Sequence, residues 1–253
     1  MTYNVQNECT AGTGTIQMAE HSDVHQMTAL ASGPFQAPKP SRAMRKIARK
    51  TSNQVVGELT FGEELGRGQT LAFESKLEHD VALLTIYRPG VIDVCEQVEV
   101  PFVKSNGKIG RHFIDFIATE ASGRRTAILV KRSDRAIRAG FLDEAARVAH
   151  AAIPHIAHRV VIATEKIIER DMLVRAEQYH ASRFAQPIID RQLAAAAQEL
   201  VDPTTISGFL AMAGLGCEGF HGVIRMVRFQ KLEALHTGLL TLSSPVRPVE
   251  ATS

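Results

Sequence analysis

The sequence predicts a mixed α/β core followed by a small, mostly helical C-terminal unit. Three observations carry this. Two short apolar runs in "RHFIDFIATEASGRRTAILVKRSD" (111–134) flank a Gly-containing turn and read as an antiparallel hairpin. A helical pattern, "RAIRAGFLDEAARVAHAA" (135–152), then leads into the apolar run "HRVVIAT" (158–164), which predicts a parallel crossover beside the hairpin. After "EKIIERDMLVRAEQYHASRF" the pattern becomes wholly helical.

Taken in order, residues 1–40 are rich in Thr, Ser, Gly, Gln and Pro, show no apolar periodicity, and are expected to form a mobile arm. The lead-in "PKPSRAMRKIARK" carries Lys39, Arg42, Arg45, Lys46, Arg49 and Lys50 and no acid. It reads as a solvated basic tail or as a phosphate-contacting segment, because clustered Lys and Arg displace condensed counterions from nucleic acid. Residues 71–87, "LAFESKLEHDVALLTIY", place Phe73, Leu77, Val81 and Leu84 at helical spacing, with Glu74, Glu78 and Asp80 near the start. "RPG" ends that helix, and a strand over 96–103 and the turn "SNGKIG" precede the hairpin. The core domain is drawn at 41–170 and the C-terminal domain at 171–253. In the latter, 188–200, 203–214 (Thr204 or Thr205 as N-cap) and 218–235 read as helices, and "HTGLLTLSSPV" as a short hairpin. Three small helices and a hairpin outline a winged helix, whose third helix would carry His221, Arg225, Arg228 and Lys231 to a DNA groove. A helical packing or protein-docking module fits the same pattern.

Composition sets the bounds. The 253 residues allow one large domain or two small ones, and a net charge of +2 gives no global basic field, so any nucleic-acid footprint has to be local. Cys9, Cys95 and Cys217 are far apart and form neither a metal-ligand spacing nor a disulfide framework, which fits a cytoplasmic protein. No apolar run of about 18 residues occurs, so no membrane partner is expected. The opening "MTYNVQNECTAGTG" lacks the basic-then-apolar order of a secretory signal.

The hairpin also carries chemistry. Hydrolysing a phosphodiester with Mg²⁺ (Mn²⁺ as a substitute) needs hard oxygen ligands that leave positions open for water and phosphate, and a nearby lysine to orient water or offset developing charge. Asp115 in the first strand and Lys131 at the end of the second meet that need. Glu74 is placed to approach from the neighbouring helix. Period-two alternation puts residue 129 on the same face as Lys131, where a further ligand would project, and residue 129 is leucine. An exposed Asp and Lys near a hairpin are also commonplace on surfaces.

With those residues in view, "FESKLEHDVALLTIYRPGVIDVCEQVEV" followed by "GKIGRHFIDFIATEASGRRTAILVKRSD" resembles the TnsA family of transposon-end endonucleases, of the restriction-endonuclease-like PD-(D/E)XK superfamily. "RKIARK", "FESKLEHD", "CEQVEV", "IDF", "LVK" and "IATEKIIERD" follow the family's order over about 42–245. The resemblance implies a restriction-endonuclease-like mixed-sheet core with a winged-helix C-terminal domain. It implies cleavage of the 5′ ends of a mobile element on double-stranded DNA, alongside a DDE-type transposase and an AAA+ ATPase regulator. Carried over, Glu74 and Asp115 are metal ligands, Lys131 is the catalytic lysine, and Gln97 sits in the family's structural "EQ". Ile114 and Val98 stand where the family has proline, and Leu129 stands where it has Glu or Gln. Three outcomes follow from Leu129: the ligand has migrated to Asp143 or Glu144, or Glu74, Asp115, a carbonyl and waters hold one Mg²⁺, or the chain is a catalytically silent DNA-binding and assembly subunit. A restriction or repair nuclease unrelated to transposition is the remaining alternative.

Overall fold

The computed structural model describes residues 37–46, 55–62 and 67–249. The arm expected over 1–40 therefore falls almost wholly outside the described residues, as do Arg49 and Lys50. Two short strands, β1 (Gly57–Phe61) and β2 (Gln69–Phe73), pair antiparallel with Leu59 opposite Leu71. Leu71, Ala72 and Phe73 are thus strand and not the opening of a helix, because all three bury against β1 and the main core. Helix α1 (Lys76–Ile86) starts at a capping box: the Ser75 hydroxyl accepts the Glu78 N–H, and the Glu78 carboxylate accepts the Ser75 hydroxyl and the Glu74 N–H.

The central sheet is mixed, in the order β3–β4–β5–β6. Strand β4 (Ile109–Glu120) runs antiparallel to both β3 (Val91–Val103) and β5 (Arg125–Val130), and β6 (Arg159–Ala163) returns parallel to β5. The crossover between β5 and β6 contains two helices, α2 (Ser133–Ala136) and α3 (Ala139–Ala152), in place of the single expected one. The extended backbone of Arg138, at ψ 128°, separates them. The sheet divides the core into two layers, and the faces of β3 and β4 exchange across Gln97 and Asp115. Val94, Phe116, Ile128 and Val130 face α1, and Val100, Ile114, Ala127 and Leu129 face Ala145, Val148 and Ala152 of α3.

Helix α4 (Arg170–Ala181) leads into α5 (Pro187–Glu199), α6 (Ile206–Met212) and α7 (Phe220–Arg228). Thr205 caps α6 by accepting the Gly208 N–H. Helix α7 stops at Arg228, short of the expected 235, where Gln230 turns left-handed (φ 54°) and the Lys231 N–H bonds the Met226 carbonyl. The chain then forms β8 (Leu232–Ala234) and β9 (Pro245–Pro248), which build a three-stranded sheet with β7 (Thr204–Thr205) in the order β7–β9–β8. The expected hairpin segment is thus mostly the connection between β8 and β9. These elements enclose their own core of Leu193, Phe209, Leu210, Val223, Ile224, Leu232 and Val246. Helix α4 reaches both cores, through Leu173 and Ala176 on one side and Tyr179 on the other, and Pro38–Ser253 forms one compact unit. No helix among the described residues is long and apolar enough to cross a membrane.

Candidate active site at the acid–lysine cleft

Asp115 sits mid-strand on β4, between the Val98↔Ile114 and Glu96↔Phe116 pairings with β3. Opposite it, Gln97 adopts a left-handed backbone (φ 50°), unusual for a non-glycine residue and costing about 1–3 kcal/mol unless its surroundings enforce it. They do. Gln97 is 1 % exposed, its amide donates to Asp115 Oδ1 at 3.4 Å, and its carbonyl oxygen accepts from Arg45 Nε at 2.7 Å. Asp115 Oδ2 accepts the Val130 N–H at 2.7 Å, tying β4 to the end of β5 one residue before Lys131.

Burial pushes the Asp115 carboxyl up to about 7, and the charge of Glu78 adds to that rise. The Val130 N–H, the charge of Lys131 and the Gln97 amide oppose it. Burial also raises Glu78, with the charge of Glu74 adding to the rise. Hydrogen bonds from the Glu74 N–H and Ser75, and the Arg45 charge, pull Glu78 the other way. The charges of Glu78, on α1, and of Lys131, at the end of β5, therefore both reach Asp115 on β4. Glu78, Val130 and Lys131 line a cleft of about 590 Å³, together with Glu74, Lys76, Arg132 and Arg135. The Lys131 ammonium lies 5.2 Å from the centre of the Phe141 ring.

The structure redistributes the other expected site residues. Glu74 lines the cleft, but Arg45 grips both of its carboxylate oxygens; Glu78, four residues later, lines the same cleft and is the carboxylate whose charge reaches Asp115. Sequence reasoning passed over Glu78. Its signal was Ser75 three residues ahead of it, which marks where the helix begins. Leu129 is 1 % exposed and packs in the layer against α3. Asp143 is exposed on α3, and the Glu144 carboxylate is taken up by His112, at 3.0 Å from its Nδ1.

The basic residues change roles as well. Arg42 forms a two-pronged pair with Asp93, at 2.7 and 3.0 Å, and Arg45 turns inward to Glu74 and Gln97. Lys46 is exposed. Arg225 is 7 % exposed and committed to Asp190, the Ser182 carbonyl and Gln186, so it braces the C-terminal core and presents no guanidinium to solvent. Arg228 stacks 4.6 Å from the Tyr87 ring centre and 4.8 Å from that of Phe229. His221 bonds the Ser182 hydroxyl, and Lys231 follows the end of α7.

No group of three or more His, Cys, Asp or Glu side chains among the described residues is arranged to hold a metal ion. Mg²⁺, however, takes one or two carboxylates and keeps several waters. Asp115 and Glu78 supply two hard-oxygen carboxylates whose charges repel, and that chemistry suits one hydrated divalent cation. No protein-family model matches the chain, and no curated protein matches it.

Proposed function

We propose that the chain is a Mg²⁺-dependent DNA endonuclease (Mn²⁺ substituting) built on a restriction-endonuclease-like core with a winged-helix C-terminal domain. The observation that carries this reading is one cleft lined by Glu78, Val130 and Lys131, with the Asp115 carboxylate bonded to the Val130 N–H. Asp115 and Glu78 would hold the ion, which when bound polarises the phosphate and lowers the pKa of its water. Gln97 and the Val130 N–H fix the Asp115 carboxylate, and the capping box fixes Glu78. Lys131 sets a point charge beside them, placed to offset negative charge that develops at phosphorus. The resemblance of the sequence assigns the cut to the 5′ ends of a mobile element, in a machinery with a DDE-type transposase and an AAA+ ATPase. Purified protein with those two partners, Mg²⁺ or Mn²⁺ and element-end DNA should nick the duplex. Asp115→Ala and Glu78→Gln should each lower the rate at least about a hundredfold, the scale of a lost charge-stabilising group.

A second reading, a silent DNA-binding and assembly subunit, is favoured by Leu129, which stands where the resemblance expects a third ligand and is buried in the apolar layer against α3. Complete absence of nicking with either metal, while the three-protein assembly still forms on DNA, selects it over the nuclease.

A further inference from the structure

The cleft has a rim as well as an acidic floor. Lys76, Lys131, Arg132 and Arg135 line it together with Glu74 and Glu78. Since Arg45 already neutralises Glu74, cations outnumber the acids left to balance them. Lys76 pairs with Asp80 across one turn of α1, and Arg132 pairs with Asp134 at 3.1 Å. The side chains of Lys76 and Arg132 are 56 % and 72 % exposed, and such surface pairs are worth at most about 1 kcal/mol, so another anion displaces them readily. Arg135 is exposed and has no ion-pair partner among the described residues. Arg132 and Arg135 lie three residues apart around α2, close enough to act on one anion or on successive ones.

The inward commitments of Arg45 and Arg225 make this rim the more notable, since they remove two of the cations that the sequence offers for phosphate contact. We propose that Lys76, Arg132 and Arg135 are the residues that grip a phosphodiester backbone and lay it across the cleft. The proposal rests on the nuclease reading above for the identity of the substrate, and the rim charges select that substrate by its repeated monoanionic phosphates. An acidic floor alone would repel such a chain. Flanked by these cations, it lets the backbone approach.

The test is the salt dependence of binding, measured in EDTA so that no strand is cut. Fluorescence anisotropy is followed with a labelled random-sequence DNA, in duplex and single-stranded form, over a KCl series. Each phosphate contact contributes a slope of about 0.9 in log K against log salt for duplex and about 0.7 for single strands. The triple variant Lys76→Ala/Arg132→Ala/Arg135→Ala should therefore lose about 2–3 from the wild-type slope. A charge-matched control, Lys104→Ala/Lys108→Ala/Arg124→Ala, removes exposed cations remote from the cleft and should keep the slope. The probe that shows the loss identifies duplex or single strand as the bound form. An unchanged slope in the cleft variant overturns the proposal. So does an equal loss in the control, or a wild-type protein that binds neither probe. Failure of the nuclease reading is a separate result: the slope changes as expected, yet the wild type cuts nothing with Mg²⁺ or Mn²⁺. Thermal melts of both triples should match wild type, since every altered side chain is exposed.

Discussion

A carboxyl held at about 7 makes Asp115 a liability to the fold above neutral pH. An ordinary aspartate releases its proton near 4, so between about 4 and 7 the folded chain keeps a proton that the unfolded chain has lost. The associated stability is full below about 4 and is gone once pH has risen through about 7. Asp115→Asn should therefore melt higher than wild type at pH 8, with the gain shrinking steadily toward pH 4, as calorimetry at several pH values would show. At this chain length each kcal/mol corresponds to about 2–4 °C. Leu129 poses the opposite case. Leu129→Glu restores an acid two residues before the lysine, but the side chain enters the apolar layer against α3. It should cost more than the about 2–5 kcal/mol of Leu129→Ala, and urea midpoints for the two variants would rank them. A Leu129→Glu protein of wild-type stability with enhanced cleavage would show that this side chain turns toward the cleft.

At the scale of elements, α7 offers a clean separation of structure from recognition. Arg225→Ala leaves Asp190 and the Ser182 carbonyl without their partner and should destabilise by about 3–5 kcal/mol, while the salt slope for DNA stays that of wild type. A fall in slope at unchanged stability would return Arg225 to the DNA. The sequence made legible those elements whose pattern is local: the 111–130 hairpin, the crossover into 159–163 and the helices of the C-terminal unit. It left open what depends on partners far along the chain. Glu74 and Glu78 are four residues apart, and only the helix start at Lys76 and the arrival of Arg45 tell their roles apart. Arg225 sits on a helix whose charged residues look solvent-facing, until Ser182 and Asp190, some forty residues earlier, close around it. Residues 71–73 contain helix formers, but pairing with β1 claims them as strand.

Across the whole molecule, α4 and the Tyr87 cluster join the sheet core to the C-terminal core. Tyr87 bonds His180 Nδ1 at 2.9 Å, packs against Tyr179, and lies under Arg228. Residues 38–253 should therefore unfold in one calorimetric transition, and Tyr87→Ala should broaden or split it by loosening the joint. The parallel pair β5/β6 has a further consequence, in the order of assembly. The Lys131 N–H is held by the Ala163 carbonyl at 2.9 Å, and residues 131–163 must be in place before that bond closes. Non-local parallel pairings are slow to form, and a chain is made from its N-terminus. A nascent chain released before β6 has emerged thus carries Asp115 and Glu78 with no anchored lysine beside them. The cleft is finished only once the sheet is, so the proposed chemistry would be withheld from partly made copies.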